Sequence, residues 1–182
     1  MRLFVGIPLS SEVRADLTSA LTPAVAQIDG WRWVSAESWH ITLQFLGNTI
    51  PEKCEFLSVQ LRDLRSPAVP IQLDRLDFFE HAGIFYAGIS LCPELFALQQ
   101  KVSDAATQSG FSPETRPYRP HITLARAKNR VRGRTLRAFR DMLPKDPELS
   151  PFLAEEILLF ESFLGPSGAR HEIRERFELT RT

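Results

Sequence analysis

The tetrapeptide His-Ile-Thr-Leu stands twice in this chain of 182 residues, at positions 40–43 and again at 121–124. Each copy reads as a strand. Ile and Leu are apolar and β-favouring, and they alternate with His and Thr in the two-residue period of a strand with one apolar and one polar side. His and Thr of each copy then share a side, roughly 7 Å apart along the strand. Two such strands laid together bring two imidazoles and two hydroxyls into one cleft. A lone His on a half-buried strand is more often structural than catalytic, and a tetrapeptide can recur by chance. Against chance, the chain has four histidines in all, and two of them occupy identical settings with the same polar partner two residues on. A duplicated half-site has this form.

The segments around the two copies read alike. Arg2 to Pro8 is a strand, and Ser10 or Ser11 caps a helix carrying Val13, Leu17 and Leu21, which Pro23 breaks or kinks. Asp29-Gly30 turns the chain into the Trp31–Val34 alternation and the first His-Ile-Thr-Leu strand, ending at Gly47-Asn48. Pro51 opens a helix with Cys54, Leu57, Leu61 and Leu64 on one side. An alternation from Ile71 to Phe79, a His81-Ala82-Gly83 turn and a strand from Ile84 to Ile89 form a hairpin. A helix from Pro93 to Gly110, the second His-Ile-Thr-Leu strand, and a helix over Arg134–Met142 follow. Strands over Ala154–Phe163 and Ala169–Leu179 then flank Gly165-Pro166-Ser167-Gly168. The expected class is α+β: one domain over residues 1–182, made of two related lobes, each an antiparallel sheet backed by helices, with the active-site cleft between them.

Lys and Arg together number 22, as do Asp and Glu, so the net charge of zero carries no global sign of nucleic acid or membrane. The local distribution does. Arg116, Arg119, Arg126, Lys128, Arg130, Arg132, Arg134, Arg137 and Arg140 follow one another with no acidic residue among them. The run reads either as a solvated helix face or as a phosphate-attracting rim beside His121. Arg126, five residues past His121, is near enough for its guanidinium to reach a phosphate bound there, but its strand parity is opposite. It must turn inward at the strand's end. Cys54 and Cys92 form no CxxC and no cluster with histidines, which disfavours a disulfide framework and a zinc site. The opening MRLFVGIPLS is a short apolar run of strand length, read as neither signal peptide nor membrane span. The expected setting is reducing and cytoplasmic.

Histidine has the unperturbed pKa, about 6.5, for proton transfer near neutrality, and two of them equip a site to activate a nucleophile and protonate a leaving group. No G-x-S-x-G nucleophile and no P-loop accompany them. What remains is metal-free, in-line hydrolysis of a strained phosphodiester. The segments His40-Ile41-Thr42-Leu43-Gln44-Phe45-Leu46-Gly47 and Arg116-Pro117-Tyr118-Arg119-Pro120-His121-Ile122-Thr123-Leu124-Ala125-Arg126 closely resemble the motifs of the RNA 2′,3′-cyclic phosphodiesterases. These are also called 2′-5′ RNA ligases and are two-histidine phosphoesterases. The resemblance extends to the Arg2–Ile7 strand and the closing Arg176-Phe177-Glu178-Leu179.

The resemblance implies a bilobed, pseudo-twofold α+β fold and hydrolysis of RNA 2′,3′-cyclic phosphate ends to 2′-phosphate ends, with reversible 2′-5′ ligation by the same groups. It implies that His40 protonates the departing 3′ oxygen, that His121 activates water, that Thr42 and Thr123 hold phosphate oxygens, and that Arg126 positions water and phosphate. No cofactor and no metal are expected. The expected partner is RNA bearing a 2′,3′-cyclic phosphate or 2′-5′ linkage, met by a monomer with no obligate protein partner and no membrane. Phe45, Tyr118 and Trp39 flank the motifs and offer rings for a nucleobase, against the commoner role of core aromatics. His81 and His171, lacking the Thr partner, read as surface or structural. Two other functions stay open. One is a phosphodiesterase of small cyclic nucleotides, ADP-ribose cyclic phosphate or 2′-5′ oligoadenylates. The other is a non-catalytic RNA-end binding module, which two titrating groups disfavour. A metal site is least favoured, because each H-x-T supplies one good ligand.

Overall fold

The computed structural model describes residues 1–129, 133–144, 147–165 and 168–180. Arg130, Arg132 and the Pro166-Ser167 pair lie outside the described residues, as does the side chain of Arg134. The apolar alternation at the start becomes β1 (Arg2–Pro8), which buries Leu3, Val5 and Ile7 on one side and turns Phe4, Gly6 and Pro8 to the other. The Ser10 side chain accepts from the Val13 N–H and caps α1 (Ser11–Gln27). This helix runs through Pro23. The residue sits on the exposed side of α1, as does Ser19, whose carbonyl the proline leaves without an intrahelical donor but open to solvent.

There follow β2 (Trp31–Trp33), β3 (His40–Asn48), α2 (Pro51–Asp63), β4 (Val69–Ile71), β5 (Leu73–Phe79), β6 (Ile84–Ile89) and α3 (Pro93–Gln108). Then come β7 (His121–Ala127), α4 (Gly133–Met142), β8 (Phe152–Ala154), β9 (Glu156–Gly165) and β10 (Gly168–Glu178). The alternation expected as one strand from Ile71 to Phe79 is divided at Gln72. Its first part, β4, leaves the main sheet to pair with β8, while β5 pairs with β6.

The main sheet runs β10-β9-β1-β3-β7-β6-β5, antiparallel at every pairing, with β2 also against β7. Its two halves are the two antiparallel sheets expected from sequence, and they meet where Ile41 of β3 faces Ile122 of β7. Among the described residues the helices α1 to α4 all pack on one side, contributing Val13, Leu57, Leu98 and Phe139 to a core with Val5, Ile41, Ile122 and Leu124. On the other side Phe4, Leu158 and Phe160 form a separate small cluster. Burying apolar side chains on the helix side leaves the opposite side of the central strands free for chemistry.

Candidate active site

Ile41 and Ile122 are fully buried, so the residues on either side of each turn to the opposite side of the sheet. The antiparallel register, carried one residue each way, sets His40 against Thr123 and Thr42 against His121. In a regular ladder opposed Cβ atoms stand roughly 5 Å apart and diagonal ones roughly 7–8 Å. The two imidazoles and the two threonines therefore flank a single bridge on one side of the sheet, near enough for the charge of His121 to act on His40. A phosphate with a hydrogen bond on each side spans such a diagonal.

Both rings are held in the same way. His40 Nδ1 donates to the Ser38 carbonyl at 2.8 Å, and His121 Nδ1 donates to the Arg119 carbonyl at 2.8 Å. A carbonyl only accepts, so the proton of each neutral ring sits on Nδ1. Nε2 is left as a base when the ring is neutral and as an acid when it is charged. His40 also leans over β1. Gly6 pairs with Thr42, and a Cβ there would fall 2.8 Å from the Ile41 carbonyl oxygen and 3.5 Å from His40 Cδ2. The bare glycine lets the imidazole stack on Phe4, with centroids 4.5 Å apart and planes at 29°. Phe160 at 5.6 Å and the edge of His171 at 5.1 Å complete that wall. His121 has Phe79 at 5.0 Å and Tyr86 at 5.6 Å.

Burial lowers the pKa of His40 to about 4, and the charges of His171, His121 and Arg126 push the same way against the Ser38 carbonyl. His121 is lowered by burial and then by Arg126, against the Arg119 carbonyl. Both shifts favour the neutral imidazole.

Arg126 reaches the histidine face by a route that strand parity hides. Along β7, Ala125 pairs with Phe85 and Thr123 with Tyr86, so Leu124 is an inserted residue and the strand carries a β-bulge there. Leu124 and Ala125 are both buried, and Arg126, opposite Ile84, returns to the side of Thr123 and His121. The inward turn comes within the strand, not at its end. Although the residue as a whole is exposed, partial burial and the charge of Arg2 lower its pKa.

The first copy has the same bulge. Gly6 pairs with Thr42 and Val5 with Gln44, leaving Leu43 inserted, and Phe45 emerges on the His40 side with 62% of its surface exposed. Phe45 and Arg126 hold equivalent places, each five residues past its histidine.

Tyr118 is half-buried, and its hydroxyl donates to the Thr42 carbonyl at 3.2 Å, bracing β3 against the segment before β7. Trp39 is buried with its indole N–H on the Val34 carbonyl. His81 is exposed on the turn before β6, whereas His171, expected to be structural or on the surface, stands edge-on to His40. Its place depends on β10 pairing with β9, a long-range event that local sequence does not announce. Phe4, Phe160, Phe79 and Tyr86 were likewise hidden among core-like alternations. Within the basic run, Arg116 pairs with Glu114 and Arg140 with Asp77 and Glu80, all at the surface. The larger cavity, about 790 Å³ beside Leu64, Phe152 and Leu179, contains none of the paired His and Thr residues. Among the described residues there is no group of three metal-ligating side chains, and no helix is long and apolar enough to cross a membrane.

Comparison with known proteins places the chain in a family. Positions 20–162 match the sequence profile of the 2′-5′ RNA ligase superfamily. An RNA 2′,3′-cyclic phosphodiesterase of Escherichia coli K12 is 32% identical over 126 residues, covering 69% of this chain and 71% of the relative. One of Methanocaldococcus jannaschii is 28% identical over 177 residues, covering 95% and 98%. A Geobacillus stearothermophilus relative of the same name is 32% identical over 128 residues, which span 41% of its length. The crystal structure of E. coli LigT complexed with 3′-AMP superposes with a TM-score of 0.81 at 27% identity, over 99% of this chain and 98% of the other. Since the profile covers both His-Ile-Thr-Leu strands and the superposition extends over the sheet that pairs them, the chain belongs to the 2′-5′ RNA ligase superfamily.

Proposed function

We propose that this protein hydrolyses RNA 2′,3′-cyclic phosphate ends to 2′-phosphate ends, with His40 and His121 as its acid and base. The observation that carries this reading is the matched pair of imidazoles, each locked through Nδ1 by a backbone carbonyl and presenting Nε2 to one face of the sheet. His121 Nε2 takes a proton from water as the water oxygen bonds to phosphorus. The P–O3′ bond breaks, and protonated His40 delivers its Nε2 proton to the departing oxygen. Thr42 and Thr123 donate to the non-bridging oxygens, and Arg126 offsets their charge. Both rings favour the neutral form, so the anionic phosphate itself raises the proton affinity that His40 needs as the acid. With an RNA 5′ hydroxyl in place of water the same steps leave a 2′-5′ linkage. No metal is needed where two imidazoles supply both acid and base.

Phe45, exposed on the cleft side, offers a stacking surface for the base of an adjoining nucleotide. Tyr118 serves as a strut instead, its hydroxyl committed to β3. The chain reads as one domain of two related lobes, supported by the order β1-α1-β3-α2, interrupted by β2, and β6-α3-β7-α4, and by the shared bulge. Both histidines come from one chain, which fits a monomer, and Cys54 and Cys92 are unpaired, which fits a cytoplasmic setting.

The test is incubation with an RNA ending in 2′,3′-cyclic phosphate in the presence of EDTA, followed by end-group analysis. A 2′-phosphate end is expected. A 3′-phosphate end, or activity lost on chelation and restored by zinc, overturns the reading. A second reading, a phosphodiesterase of small cyclic phosphates, is favoured by the ion pairs that neutralise Arg116 and Arg140 of the basic run. Turnover independent of RNA length would select it.

A further inference from the structure

A recess of about 410 Å³ opens beside His40, on the side of β9 and β10 away from His121. Its size falls within the roughly 300–1,000 Å³ of small-molecule sites. Leu158, Phe160 and Ile173 give it apolar walls, and Arg14, Glu37 and His171 give it polar ones. Two buried nitrogens here, Arg14 Nε and His171 Nδ1, have no hydrogen-bond partner. Buried polar atoms left open in this way call for a missing ligand or water. Arg176, also at the wall, is closed on Glu156 at 2.8 Å. The Arg14 and Glu37 side chains, by contrast, have no ion-pair or hydrogen-bond partner among the described residues.

The charges select the ligand. Arg14 and Arg176 are matched by Glu37 and Glu156, so a phosphate gains little net attraction here. A flat, neutral group with acceptors on one edge and donors on another suits apolar walls, a free guanidinium and a free carboxylate. We propose that the recess holds a guanine base, that of the nucleotide carrying the cyclic phosphate. The Arg14 fork donates to O6 and N7, and the Glu37 carboxylate accepts from N1–H and the exocyclic amino group. Adenine presents a donor where guanine has O6, which opposes the Arg14 fork, and pyrimidines lack N7. The proposal rests on His40 serving the departing 3′ oxygen. His40 lines the recess, so the base on that same ribose lies within one sugar's reach of it.

The experiment compares short RNAs that differ only in the terminal nucleoside 2′,3′-cyclic phosphate. The wild-type protein should favour guanosine over cytidine by about tenfold or more in kcat/KM, expressed in KM. Arg14→Met and Glu37→Gln should each bring that ratio to within about twofold of unity. A ratio taken within one preparation is unmoved by its folded fraction. A wild-type ratio near one, or a ratio unchanged in both variants, overturns the proposal. Should the wild-type protein turn over none of these ends, the hydrolytic reading falls. The recess is then judged by the same ratio in equilibrium binding of 3′-GMP against 3′-CMP.

Discussion

Replacing Gly6 by alanine tests how closely the strand beside His40 sets its geometry. The new Cβ would lie 2.8 Å from the Ile41 carbonyl oxygen, a backbone atom fixed in the β1–β3 pairing, and 3.5 Å from His40 Cδ2. Relief requires several tenths of an ångström of movement, shared between the strand that carries His40 and the imidazole that rests on Phe4. Misplacing a reacting group by 1 Å costs on the order of 10²-fold in rate, or about 2.7 kcal/mol of activation free energy, and a shift of half that size about tenfold. Overpacking of the sheet adds about 1–3 kcal/mol of destabilisation. Gly88 supplies the control. It faces His121 in the register of β6 and β7, but a Cβ there meets only the Asp74 carboxylate and, at 3.2 Å, Arg75 Cγ, both on exposed side chains that can turn away. Steady-state turnover of a cyclic-phosphate dinucleotide, with thermal unfolding of the same samples, measures both. Gly6→Ala should lose about 10- to 100-fold in kcat, and Gly88→Ala less than about threefold. Equal losses, or wild-type kcat in Gly6→Ala with an unchanged melting temperature, would refute the idea that β1 positions the His40 ring.

The pH dependence of stability has a definite sign. His40 falls from 6.5 unfolded to about 4 folded, so its contribution is full above 6.5 and is lost as pH drops toward 4, because the unfolded chain binds the extra proton. His121 and His171, also lowered, act in the same direction. His40→Gln should flatten the decline in melting temperature between pH 7 and 5, and an unchanged slope would count against a buried neutral ring. His40→Ala or His121→Ala should lower kcat about 10²- to 10⁴-fold, and the double variant far less than the product, since acid and base act together. Arg126→Ala should lower turnover at saturating substrate at low and high salt alike, a partly buried contact being weakly screened. A loss confined to low salt would make Arg126 a steering charge only.

The alternation of the two His-Ile-Thr-Leu copies was enough to place His and Thr on a common face, because burial of Ile41, Leu43, Ile122 and Leu124 admits no other orientation. The bulges were not legible. Leu43-Gln44 and Leu124-Ala125 are consecutive buried pairs, and neither announces that a residue is inserted against the neighbouring strand. Parity set Arg126 opposite His121, so its inward turn was expected only at the strand's end, and the equivalence of Phe45 with Arg126 stayed hidden. His171 was missed for another reason: its neighbour His40 lies 131 positions away in the chain, and only the completed sheet brings the two rings together.

The strand order also bears on when the site comes into being during synthesis. β1 sits between β3 and β9, and the wall around His40 is finished by Phe160 and His171, which the ribosome adds after every helix has been made. Until then β1 is an unpaired edge, inviting association with other chains, and His40 is bare to water. Long-range closure of this kind folds slowly. The nascent chain therefore carries both imidazoles well before the last hairpin can enclose His40.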